Sequence, residues 1–497
     1  TASLRFEWKP PHGVWEVIPA EALSAEPSSK VTVVSTAFPP DDASVGYERG
    51  SAVSKEWHDA TTKAAVEVAN EVVERIAVLS GVDERASNRV ERLKDFAAEF
   101  AARAFRRPLT PELRHAVVHR QFAPGVEPDA ALKRSVMLVL KSPRFLYPEL
   151  GAATDSHAVA GRLALGMWDS LPDEALRGAA DRNELRTRDQ VVAQARRMVQ
   201  DPRARAKLRE FFHHWLAMDA AEDIAKDTKA YPGFDERLVA DLRASLEKFV
   251  EEVVWSESSD YRQLLLADYL FMNRRLAEFY GGSGAADTGF TKVKFDPDQR
   301  AGILTHPYLL SAFSYHKSSS PIHRGVFLTR NVLGRFLKPP PMAIEFMDDR
   351  FDPSLTMREK VTELTKSATC MACHATINPL GFSLENYDAT GRFRLKENDK
   401  PINAESDYTT AEGEVIHLRG PRDVARHAAS SDDARRGFVR QMFHQVVKQS
   451  PAAYGVDTLK RLDDAFVESG YHMRHLLVEI VATAAAHGLP TSTPSRP

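Results

Sequence analysis

Cysteine is nearly absent: two residues in 497, too few for a disulfide framework. Charge of either sign is not in excess. Lys and Arg number 66 against 69 Asp and Glu, a net charge of −3, which argues against a basic nucleic-acid-binding surface. No run reaches 18 uninterrupted apolar residues, so no stretch reads as a membrane-spanning helix. Phosphate-binding glycine loops, dinucleotide fingerprints and nucleophile elbows are missing too. What remains is ordinary globular composition, 43 % hydrophobic and 27 % charged, long enough for several domains or one large helical body.

Helical periodicity dominates. Val66, Ala69, Val72, Val73 and Ile76 mark an amphipathic helix, and Leu93, Phe96, Ala97, Phe100 and Ala101 a second. Pro108 closes that one, and Thr110-Pro111 reads as an N-cap with proline at the first helical position. Further helices are expected near 128–141, 157–169, 187–200, 202–217, 235–255, 431–449, 456–468 and 472–486. Short strands are expected at Leu4–Trp8, Val31–Ser35 and Phe290–Phe295, with a hairpin over 406–418. Residues 281–299 read as a linker, and Lys338-Pro339-Pro340-Pro341 as a stiff spacer. The fold class is therefore mainly α and multidomain: a β element at 1–40, helical modules at 41–150 and 151–300, a module at 301–396 that holds both cysteines, and a helical module at 397–497. The few strands of 1–40 cannot stand alone and should dock on a neighbour.

The two cysteines carry the chemistry. Cys370-Met371-Ala372-Cys373-His374 is the C-x-x-C-H pattern of covalent haem c attachment. Two thiols one helical turn apart suit the two vinyl groups of haem, and the adjacent His374 suits the iron as proximal ligand. A thioredoxin-like motif would need a βαβ setting, and a zinc site further ligands. The Nδ1–H of His374 needs an acceptor, which the stretch Ile377-Asn378-Pro379-Leu380 can supply. One covalent haem c is expected.

For the far side of the iron the candidates are His316 first, then His323, then His444. His306, His316 and His323 lie within 18 residues in a stretch where Pro307 and Pro321 favour extended or turn geometry. Arg324 is a candidate partner for a haem propionate. Among methionines, Met442 and Met473 read as core, whereas Met342, Met347 and Met357 lie ahead of the motif. His115 and His119, four apart, read as a solvated helix face. Asp41-Asp42 and Asp348-Asp349 lack the spacing of a calcium loop.

The run from Cys370 through Asn378-Pro379-Leu380-Gly381-Phe382 and Glu385-Asn386-Tyr387-Asp388 to Arg392 resembles the haem module of the large multidomain cytochromes c of Planctomycetes. Ser320-Pro321-Ile322-His323-Arg324-Gly325 is similar to the stretch ahead of that haem. Ala104-Phe105-Arg106-Arg107-Pro108 and Phe443-His444-Gln445-Val446 resemble flanking helical modules. Leu4-Arg5-Phe6-Glu7-Trp8 with Ile18-Pro19-Ala20 resembles the end of a protective-antigen-type carbohydrate-binding β-sandwich. The resemblance implies an extracytoplasmic monohaem cytochrome, periplasmic or equivalent, that passes single electrons between redox partner proteins. The partners expected also include other subunits or an N-terminal fragment of the same precursor, but no nucleic acid. Thr1 in place of Met fits a removed signal. The alternatives are a haem oxidase or peroxidase subunit, and a carbohydrate-associated protein with an auxiliary haem.

Overall fold

The computed structural model describes residues 7–8, 16–17, 33–43, 46–49, 53–83, 85–147, 155–218, 224–285, 289–337 and 346–489. Helices are the main elements, and each sheet among the described residues has two antiparallel strands, so the protein is mainly α. The chain forms two compact units, each discontinuous. One takes 1–23, 208–442 and 456–476; the other takes 24–207, 443–455 and 477–497.

The second unit shows how its sequence makes helices. Helix α1 (Lys55–Glu74) starts where the Ser54 hydroxyl accepts the amide of Trp57. With α2 (Arg89–Ala104) and α3 (Pro128–Leu140) it buries Ala69, Leu93, Ala101, Leu132 and Val136, the apolar faces read from periodicity. Thr110 caps the next turn by accepting from Leu113, with Pro111 at its first position. His115 and His119 lie on an exposed π-helical turn, as a solvated face. Helices α4 (Ser156–Trp168) and α5 (Arg188–Met198) follow. Val33–Ser35 is not a strand. Its backbone turns instead to Glu67 on α1, whose carboxylate accepts from Ser35 N (2.6 Å) and from Thr36 N and Oγ1 (3.2 and 2.9 Å). The end of the expected β segment is thus docked on α1.

In the first unit, β1 (Glu7–Trp8) pairs with β2 (Glu16–Val17). Helix α6 (Pro202–Trp215) runs into this unit and α7 (Glu236–Trp255) lies within it. Its aromatic core centres on Phe438, fully buried and 4.4 Å from Tyr261, 5.2 Å from Trp215 and 6.0 Å from Phe466, ring centre to ring centre. The expected linker carries β4 (Thr291–Lys294), which pairs with β3 (Tyr269–Met272) and is no free spacer. Helices α8 (Pro321–Phe327), α9 (Met357–Leu364) and α10 (Ala368–Phe382) follow, then β5 (Lys396–Glu397) with β6 (Lys400–Pro401), and β7 (Ser406–Thr409) with β8 (Val415–Leu418), the expected hairpin. Helices α11 (Asp432–Val447), α12 (Thr458–Glu468) and α13 (Met473–Ala485) complete the chain. Met442 and Met473 are fully buried in the first unit, as core residues.

The prolines expected to hold 306–323 extended do the reverse. Pro307 and Pro321 each occupy the first turn of a helix, where a missing N–H costs nothing. The stretch Ile377–Leu380 is no loop either: α10 runs through Pro379, which leaves the Ala375 carbonyl without its usual helical donor.

Candidate haem-attachment site

Helix α10 presents the thiols. Ser367 caps it, its hydroxyl accepting from Cys370 N at 3.3 Å. Cys370 and Cys373 are unpaired and half-buried, one turn apart, and Met371 and Ala372 between them face solvent. His374 is half-buried beside them.

A chain of hydrogen bonds fixes the imidazole. The Thr365 hydroxyl donates to the Val361 carbonyl (2.8 Å). Its oxygen is then free to accept from the Asn378 amide nitrogen (2.9 Å). That turns Asn378 Oδ1 toward His374 Nδ1, at 2.8 Å. An amide oxygen only accepts, so this network assigns the imidazole proton to Nδ1 and leaves Nε2 as a lone pair. This is the state a metal-binding histidine needs. The acceptor came from the expected stretch, but from a side chain four residues on rather than from a backbone carbonyl. The i, i+4 spacing of His374 and Asn378 was the available signal. Thr365 gave none.

The helix is held from below by α8. The two backbones touch: a Cβ on Gly325 would lie 2.2 Å from the Ile377 oxygen, and one on Gly381 1.9 Å from the Pro321 oxygen. Met357, Val361 and Phe382 form a small apolar core under α10, with Tyr315, Ile322 and Phe346 against it.

The other expected site residues scatter. His316 is exposed in a short loop closed by the Ser314–Ser319 bridge. His323, on α8, has an open ring, with Nδ1 3.1 Å from Ser320 Oγ and its face tilted on Tyr315. The surrounding protein lowers its pKa by desolvation. His306 is fully buried and satisfied: Nδ1 accepts from Tyr308 N and Nε2 meets Ser245 Oγ at 3.2 Å. His444 belongs to the other unit, where it stacks on Tyr47 at 4.0 Å. Pro379 is half-buried in α10. Met342 lies outside the described residues; Met347 is partly exposed and Met357 is core. Asp348 pairs with Lys360 at 2.7 Å.

Arg324 corrects an expectation. It is 1 % exposed, and its terminal nitrogens donate to the carbonyls of Leu384, Tyr387, Leu310 and Asp388 at 2.6–3.1 Å. A guanidinium so committed is a structural hub and not a propionate partner. Position in sequence could not reveal this, because carbonyls and propionates attract the same donors.

Residues 154–281 match the family model described as PSD4, protein of unknown function (DUF1592). Residues 300–397, which include the thiols and His374, match PSCyt3, protein of unknown function (DUF1588). Both are planctomycete-type cytochrome c domain families, and the chain is similar to each over those residues. No curated protein and no solved structure matches the chain.

Among the described residues no helix is long and apolar enough to cross a membrane. Nor, among those residues, do three or more His, Cys, Asp or Glu gather as a metal cluster.

Proposed function

We propose that the protein is an extracytoplasmic monohaem cytochrome c that passes single electrons between redox partner proteins. The observation that carries this is the fixed tautomer of His374 beside two free thiols on one helical turn. These residues fit haem c: Cys370 and Cys373 would hold it by thioether bonds, and His374 Nε2 would ligate the iron. When bound, the haem supplies a one-electron couple. The chain orients the imidazole, makes it more electron-rich through Asn378, and keeps the thiol turn at the surface, where a partner can approach.

Of the three histidines considered for the far side of the iron, His323 has the best support. It rides on a helix packed directly against α10, with Nδ1 held by Ser320. His316 sits in an exposed loop and His444 in the other unit.

Protein made with a haem-maturation system should exceed the 55.4 kDa chain mass by one haem that acid–acetone does not extract. An unmodified mass would sink the reading. Low-spin spectra favour electron transfer, and high-spin iron favours the oxidase or peroxidase alternative.

A further inference from the structure

A cavity of about 500 Å³ opens beside the haem-attachment helix. One wall is the outer face of α9, with Arg358 and Thr362, continued by Lys366 just past its end; another is the β5–β6 pair, with Glu397 and Lys400. Glu385, just past the end of α10, also lines it, although the residue is only 1 % exposed. Ser319 donates to its Oε2 at 3.0 Å. Its Oε1 is buried and has no hydrogen-bond partner.

The two guanidiniums nearest this carboxylate form only long ion pairs with it, and neither donates a hydrogen bond to Oε1. Arg324 of α8 is 3.9 Å from Oε1, but its terminal nitrogens are given to the four carbonyls. Arg394 is 3.8 Å from Oε2 and shared with Glu397 at 3.2 Å. Arg358 of α9 donates to the Asn403 and Glu405 carbonyls. Glu359 pairs with Lys400 at 3.0 Å, and Glu363 and Lys366 stand exposed on the cavity wall. Desolvation outweighs the two guanidiniums and lifts the Glu385 pKa to about 7. A purely structural ion pair would use both oxygens; this one keeps an acceptor idle beside a cavity large enough for water.

We infer that Glu385 is the proton-exchanging group of the haem module, taking up a proton from this cavity when the module is reduced and returning it on oxidation. This rests on the cytochrome reading above. The balance is simple: one electron enters from the redox partner, or from a chemical reductant in the test, and at most one proton from water binds Oε1. The coupling is short in range. Helix α9 and its C-cap serve both places: Thr365, anchored on the Val361 carbonyl, holds Asn378, while Thr362 and, just past the helix, Lys366 line the cavity. Glu385 follows His374 by eleven residues, eight of them on α10 and the last three in the turn after it, so a helical rise of about 1.5 Å per residue sets only a scale of roughly 16 Å between them. At an effective dielectric constant of about 20, one added electron at that distance raises a carboxyl pKa by a little under about one pH unit.

The test is the midpoint potential of the haem-loaded full chain from pH 5.5 to 8.5, with a redox-difference infrared spectrum in H₂O and D₂O. The expected potential falls with rising pH only in a window near 7, and a protonated-carboxyl band that shifts in D₂O appears on reduction. Glu385→Gln should flatten the window and remove the band, whereas His417→Gln, on the exposed β7–β8 hairpin, should keep both. A flat potential and no band in the unmodified holoprotein would overturn the inference and leave the cytochrome reading intact. A window that survives Glu385→Gln would assign the proton elsewhere. If Glu385→Gln does not load haem, the infrared band of the unmodified protein decides. No haem in the intact mass would remove both readings.

Discussion

At the scale of single residues, two side chains do work that their type alone does not announce. Asn378 sets the proton of His374, and this would make the imidazole a stronger donor to a bound haem iron. Asn378→Ala should therefore raise the midpoint potential of the holoprotein, while the haem mass stays unchanged. An unshifted potential would show that the hydrogen bond is ornamental. Arg324→Met removes a buried cation and leaves four carbonyls without that donor. The expected loss is about 3–5 kcal/mol in urea unfolding, with Arg324→Lys recovering little, because one ammonium cannot span the fan. The attachment pattern was plain in the sequence, since its chemistry is local. The role of Arg324 was not, because it depends on carbonyls up to 64 residues away.

At the scale of elements, the crossing of α8 and α10 is set by absence of side chains. Gly325 and Gly381 let one backbone lie on the other. Neither has a left-handed backbone, so the requirement is room rather than conformation. Gly325→Ala or Gly381→Ala must push the helices apart, at about 1–3 kcal/mol each. Thermal melts should show the loss, and the pair together should add to less than the sum, because the first change already opens the crossing. Periodicity gave the long helices near their observed bounds, since an apolar stripe is a sequence property. It missed the short helices after Pro307 and Pro321 and the strand Tyr269–Met272, where tertiary partners decide the conformation.

At the scale of the whole molecule, two buried titrating groups shape stability against pH with opposite sign. Glu385 has its folded pKa raised to about 7 from 4.5. Its contribution is full below pH 4.5 and is lost as pH rises through 7, on the order of 3 kcal/mol. Burial lowers His306 to about 3 from 6.5. Its contribution is present above pH 6.5 and is lost as pH falls toward 3, on the order of 5 kcal/mol. Chemical denaturation across pH 4–8 should show a broad optimum near pH 4.5–6.5. Glu385→Gln should remove the decline on the alkaline side, and an unchanged profile would place the titration elsewhere.

The interleaving of the two compact units has a consequence for the order in which the protein can be finished. The first unit needs residues 456–476, and the second needs 443–455 and 477–497. Helix α13 starts among the residues of one and ends among those of the other. The first unit is incomplete until residue 476 has been made, and the second until the residues after 477 have followed. Until then the thiol turn of α10 belongs to an open chain. If haem is attached as proposed, its thiols stand on an incomplete unit at least until residue 476 has been made.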